Sequence, residues 1–334
     1  MLPAALVELV VLIGALLVVL PLPAGAQSEF QSWLNPELGK QIARSDYRFT
    51  LYPDQRVKDQ DSGFRLTEHR VTLFLPLAQD SANEFALAAR TLAQEIDTRA
   101  RFPNAGGRFP SELWDGSAGL GYRHKFDNNW IGGVAVTVGS ASDEPFNSVD
   151  EMYFRLISML RVPQGERNAW IFTLIYATDE QIFGHTLPVP GIAYAWLPSD
   201  QFHAVIGFPF SSIEYKPVES LALEAQYFPI RRVRARVTWQ VFQPLRAYVG
   251  FDWDHDHYYR SDRPHDQKDD QIFYYEKRLT AGLRFDLRHI GFEVYGGHAF
   301  DRFYFEGESY SDRDANRIRV GSGPFVVGKV SVRF

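Results

Sequence analysis

Cysteine is absent from the 334 residues, and methionine occurs three times. Without thiols the chain can hold no disulfide, no zinc–thiolate centre and no cysteine nucleophile. A basic surplus is also missing: 35 Lys and Arg stand against 41 Asp and Glu, a formal net charge of −6. That balance lacks the positive footprint of a nucleic-acid binder, so nucleic acid is not an expected partner. Long hydrophobic runs are confined to the start. After Gln27 no apolar stretch approaches the roughly 20 residues that a membrane helix requires.

The early run, Leu2 to Leu22, is interrupted by Glu8 and ends in Pro21-Leu22-Pro23-Ala24-Gly25-Ala26. Ala24 and Ala26 are the small residues of an export-signal cleavage site, so residues 1–26 read as a signal peptide. No Lys or Arg precedes the run, and its length also suits an uncleaved anchor. Residues 27–43 then form a short periplasmic segment and residues 44–334 the folded domain.

Within that domain the pattern has period two, the signature of strands with one apolar face. Val233, Ala235, Val237, Trp239 and Val241 alternate with Arg232, Arg234, Arg236, Thr238 and Gln240. Leu245, Ala247, Val249, Phe251 and Trp253 then alternate with Arg246, Tyr248, Gly250, Asp252 and Asp254, after only Gln243-Pro244. Leu279 to Leu287 repeats the rhythm against Arg278, Arg284 and Asp286. Ile290, Phe292 and Val294 continue it against Gly291, Glu293 and Tyr295. Further strands are expected from Asp46 to Tyr52, Phe64 to Leu77 and Phe85 to Leu92, and on to Leu221 to Phe228. Short turns such as Asp127-Asn128-Asn129 and Arg288-His289 tend to alternate with long polar loops. That is the habit of an outer-membrane barrel.

A soluble β-sandwich alternates in the same way with its apolar face turned inward. Three features favour a barrel with its apolar face outward. Charges at mid-strand (Arg155, Glu224, Arg234, Arg236, Arg284, Glu293) suit a wet lumen. Aromatics near strand ends (Trp130, Trp170, Trp196, Trp239, Trp253) suit interfacial girdles. Closure removes the free edges of so many strands. The expected fold is therefore all-β: a transmembrane antiparallel up-and-down barrel of 12 to 16 strands in the outer membrane of a Gram-negative bacterium.

The block PGIAYAWLPSDQFHAVIGFPFSSIEYKPVESLALEAQYF carries Pro190-Gly191 with Tyr194 and Pro198, Gly207-Phe208-Pro209, and Ile213-Glu214-Tyr215. On these residues the chain resembles a family of bacterial outer-membrane β-barrels described only as a domain of unknown function. The resemblance implies a barrel and an outer-membrane location, and it brings no catalytic residues with it. The last strand, with Val330, Val332 and the terminal Phe334 on one face, resembles the assembly signal read by the barrel-insertion machinery.

Candidate sites follow from the faces. Arg232, Arg234, Arg236, Arg246, Arg284, Glu224, Asp252 and Glu293 are expected to line the lumen. Three guanidiniums in a row form either an internal salt-bridge network or a ladder for anionic solutes. The stretch Phe251 to Asp270 packs seven Asp and three His into twenty residues. It fails as a calcium loop, since His257 and Arg263 stand where Gly and Glu are required. His255, His257 and His265 remain weak candidates for a divalent ion; the alternative is a hydrated external loop.

No G-x-S-x-G occurs, and His69, His124, His185, His203 and His298 lack an informative Ser partner. His298, with Asp301 close by, is the least implausible base for a lipid hydrolase or acyltransferase. The reading is thus not an enzyme and has no cofactor. It is a passive porin-like channel, with a structural or surface-binding barrel with a plugged lumen as the alternative. Outer-membrane lipids, lipopolysaccharide, the assembly machinery and small solutes are the expected partners.

Overall fold

The computed structural model describes residues 37–103, 108–179, 187–228, 232–263 and 269–334. The signal-peptide reading and the first part of the N-terminal segment lie outside them. Among the described residues no helix is long and apolar enough to cross a membrane.

Seventeen β-segments run in order: β1 (Arg44–Arg56), β2 (Gly63–Gln79), β3 (Asn83–Thr98), β4 (Glu112–Lys125), β5 (Ile131–Ser142), β6 (Met152–Gln164), β7 (Asn168–Ala177), β8 (Val189–Trp196), β9 (Phe202–Phe208), β10 (Ser211–Val218), β11 (Leu221–Phe228), β12 (Arg232–Phe242), β13 (Leu245–Tyr259), β14 (Gln271–Asp286), β15 (Ile290–Gly307), β16 (Arg317–Val320) and β17 (Gly323–Arg333). Each pairs antiparallel with its sequence neighbour, apart from β16 and β17. Those two pair one after the other along β15 and act as a single stave. At the break between them the Gly321 amide donates to the Arg56 carbonyl at 2.8 Å. Pairing of β1 with β17 closes the ring, giving a 16-strand antiparallel barrel, the upper end of the expected range. The segment Asp46 to Tyr52, the weakest of the expected strands, lies inside β1 and joins the two ends.

Both ends of the barrel domain sit on one rim, where the Phe334 amide donates to the Ala43 carbonyl at 3.0 Å. This is the terminal end, with the short turns; the opposite rim is the loop end. Exposure runs inside-out relative to a soluble fold. Val237 and Val249, which face each other across β12 and β13, are 40% and 56% exposed, while Arg232 on the opposite face is 4% exposed. Trp130, Trp170, Trp196 and Trp239 also face outward. An apolar run such as Leu245 to Trp253 rises about 23 Å at ~3.3 Å per residue and a tilt of ~40°, close to the ~25 Å apolar band of outer-membrane barrels.

The wall has uneven height. Strands β8 to β11 hold 7 or 8 residues, whereas β2, β3, β14 and β15 hold 16 to 18. The long strands stand well beyond the apolar band at the loop end, and the short ones stop near its edge.

Candidate functional site

Inside the barrel the expected lumen residues stand in ion pairs, most of them between strands. The Arg232 Nε donates to Asp254 Oδ1 at 2.9 Å, and the Arg234 Nε donates to Asp252 Oδ1 at 2.9 Å. Register sets these partners, since Arg232 faces Asp254 and Arg234 faces Asp252 on the neighbouring strand. Arg236 lies 3.8 Å from Glu293 and over the Tyr248 ring. Arg284 donates to both oxygens of Asp286, which also lies 3.5 Å from Arg246 Nη1. Glu224 faces Arg236 across β11 and β12. Each of the five arginines thus meets at least one carboxylate inside the wall, the geometry of a charge-assisted network.

A second device recurs twice. Tyr153 on β6 lies across Gly139 on β5 and donates to Asp115 Oδ1 on β4 at 2.7 Å. Tyr248 on β13 lies across Gly282 on β14 and donates to Glu293 Oε1 on β15 at 2.5 Å. A Cβ on Gly139 would stand 2.4 Å from the Tyr153 ring, and one on Gly282 would stand 2.8 Å from that of Tyr248. A glycine lets each phenol reach over one strand to an acid on the next. The only sequence signal for this is a glycine on a charged face.

Toward the loop end the long-strand half of the barrel is filled. Tyr304 stacks on Tyr274 at 4.5 Å and on Phe64 at 5.1 Å, and Phe109 meets its edge at 4.9 Å. Tyr258, Ile272 and Ile318 are buried in the same cluster. Below it Glu276 accepts from Tyr52 at 2.8 Å and Tyr274 at 2.6 Å, with Arg278 at 3.1 Å and Arg302 at 3.5 Å. Two cations and two hydroxyls thus compensate one buried carboxylate.

The stretch expected as a hydrated loop is a finding of a different kind. Strand β13 continues to Tyr259 and β14 begins at Gln271, and Asp254 to Tyr258 are buried on both faces. The reason is that β13 parts from β12 at Asp254, stays paired with β14 and reaches across the mouth. Tyr259 pairs in parallel with Ser142 of β5. The Ser261 amide donates to Asp143 Oδ1 at 2.7 Å, and its hydroxyl to Oδ2 at 3.1 Å. His257 Nε2 lies 3.2 Å from Asp179 Oδ2, on a carboxylate also bound by Arg155. Burial alone would push the Asp179 carboxyl up; the Arg155 guanidinium and the His257 hydrogen bond outweigh it and hold that group well below the usual carboxylate range.

His255 does not join His257. It stacks on Phe273 and meets Tyr310 edge-on at 4.5 Å, and His265 lies outside the described residues. Among the described residues no group of three His, Cys, Asp or Glu is placed to hold a metal. Nor does His298 gain its acid, because Asp301 binds Lys277 at 2.8 Å. His69 bonds Tyr47 at 2.8 Å, His124 bonds Asn83 at 2.9 Å, and His203 lies 4.0 Å from Glu214; His185 falls outside the described residues.

At the terminal end, the chain before β1 folds against the inner rim. The Gly39 amide and Gln41 Nε2 both donate to Glu84, at 2.8 and 2.9 Å, and Glu84 pairs with the buried Arg123. Leu38 joins the interior cluster. On β17, Val330, Val332 and Phe334 are exposed on the outer face.

No family model matches the chain, and no curated protein does. Solved structures with which it overlaps include an outer-membrane channel from Pseudomonas putida F1, at 10% identity and a TM-score of 0.37, covering 90% of this chain and 98% of that one. The beta domain of the Bordetella autotransporter BrkA overlaps at 8% identity and a TM-score of 0.34, covering 87% and 99%. The TodX monoaromatic hydrocarbon channel, as a deltaS2 mutant, overlaps at 10% and 0.38, covering 91% of each chain. Overlap at that level decides nothing about what the chain does. On its own geometry, the chain is a closed 16-strand antiparallel β-barrel with an apolar exterior and an ion-paired interior.

Proposed function

We propose that the protein is an outer-membrane barrel that passes small solutes by diffusion, along the part of its interior beside β10 to β12. The observation that carries this reading is a contrast in hydration inside one wall. Lys216 on β10 and Arg234 on β12 point inward yet keep 32% and 26% of their side-chain surface open to solvent, whereas Tyr258, Tyr274 and Tyr304 on the long-strand side keep none. Ion-paired walls of this kind favour small polar solutes over a strong preference for one sign of charge. The apolar belt would sit in the bilayer, the loop end would face the exterior, and the acidic and basic loop residues would meet lipopolysaccharide. Val330, Val332 and Phe334 on the last strand would be read by the assembly machinery.

Reconstitution into planar bilayers tests the reading. A folded, inserted barrel that never conducts removes it. The rival, a structural barrel with a plugged lumen, draws on the crossing of the mouth by β13.

A further inference from the structure

We propose that the end of β13 is a gate: a strut anchored on one side of the mouth and latched on the other, whose release opens the loop end. This rests on the channel reading. The two attachments differ in kind. On the anchored side β13 and β14 form an unbroken ladder from Leu245–Phe285 to Tyr259–Gln271, and Tyr258, Ile272 and Tyr274 are fully buried beside Tyr304. On the latched side the tip is tied by one bridge, Tyr259 to Ser142, and by polar bonds. These are Ser261 to Asp143, His257 to Asp179, Gln271 Nε2 to the Asp179 carbonyl at 3.3 Å, and Arg263 Nη2 to the Asp150 carbonyl at 2.9 Å. His257, Asp179 and Gln271 are buried while the tip holds, but once it moves water can take the place of each of those bonds, whereas it cannot replace packed rings.

The position of the latch decides its consequence. Beside the strut stand the short strands β8 to β11 and, next to them on β12, Arg234, which solvent reaches. When the tip lets go of β5 and β7, the two halves of the mouth join. When it holds, the path along β10 to β12 ends under the strut.

The chain has no cysteine, so a Ser142→Cys/Tyr259→Cys pair is unique in it. Bridged Cα partners fall within reach of a disulfide. Folding is verified by heat-modifiable migration; if this pair fails that check, Asp143→Cys/Ser261→Cys replaces it. In planar bilayers the oxidised form is expected to open at least tenfold less often than the same protein reduced. Asp143→Ala is expected to lengthen open time several-fold over the unmodified chain. If all forms conduct and oxidation changes nothing, the gate is overturned and the channel stands. If the unmodified chain, Asp143→Ala and the reduced pair are all silent, the channel reading falls and takes the gate with it.

Discussion

Ser142 on β5 and Tyr259 on β13 are bridge partners, although their strands stand on opposite sides of the ring. Strands β6 to β12 separate them one way; β14, β15, the β16–β17 stave and β1 to β4 separate them the other way, seven in each direction. A strand that reaches its diametric opposite must cross the lumen. The loop end is therefore divided into two compartments, and the one under the long strands is packed with rings.

Acid should not loosen the strut readily. Asp179 is held below the usual carboxylate range in the folded chain, against an unfolded value of ~3.9, so its contribution is complete above about pH 5 and is lost only as pH falls through the lower folded value. The Arg155 and His257 contacts keep it there. Spin labels at the exposed positions Asp150 and Asp262 should report one unchanged distance from pH 7 to about pH 4, and a longer one only below that. Separation between pH 6 and 5 would contradict the assignment.

The Arg234–Asp252 pair separates wall from pathway. Arg234→Ala strands Asp252, which is buried, and is expected to cost about 1–3 kcal/mol of folding stability, discounted because Arg234 is partly wet. It should also shift conductance several-fold toward cations, because the carboxylate remains. Arg234→Met with Asp252→Leu should recover most of the stability in a double-mutant cycle while leaving selectivity near neutral. Additive losses would mean that the two side chains do not act as a pair.

The tyrosines that reach over glycines give a packing prediction. Gly282→Val puts a side chain against both Tyr295 and Tyr248 and is expected to destabilise by about 1–3 kcal/mol in urea unfolding from lipid vesicles. Gly328→Ala, where a Cβ meets nothing within 4 Å, should stay within ~0.5 kcal/mol. Equal effects at the two positions would remove the special role of the Tyr248–Gly282–Glu293 arrangement.

A range of 12 to 16 strands and their facing were legible, though not the exact count, because a barrel wall writes period two into every stave, and a polar face that includes Arg234 and Glu293 can only point at water or at counter-charges. Which acid meets which arginine was not legible, since it depends on register: Arg234 meets Asp252 because the register shifts by one residue between Gln240 and Phe242, and the Gln243-Pro244 turn without that shift would set Arg234 opposite Trp253. The crossing by β13 was hidden for a different reason. Alternation states which face a residue takes within a wall, and DHDH in Asp254 to His257 reads as a strand entering water. Nothing local reveals that Asp143, Asp179 and Arg155, far away in the chain, stand opposite to receive it. His255, between two rings, shows the same failure: burial there comes from Phe273 and Tyr310, not from its neighbours in sequence.

The central claim is that the outward valines face hydrocarbon. Val249 lies mid-belt and 56% exposed, so its replacement by Arg asks the question directly. In reversible unfolding from lipid vesicles, Val249→Arg is expected to cost about 2–4 kcal/mol, the penalty for a guanidinium near the bilayer midplane. A change within ~0.5 kcal/mol, the norm for an exposed position in water, would contradict the account.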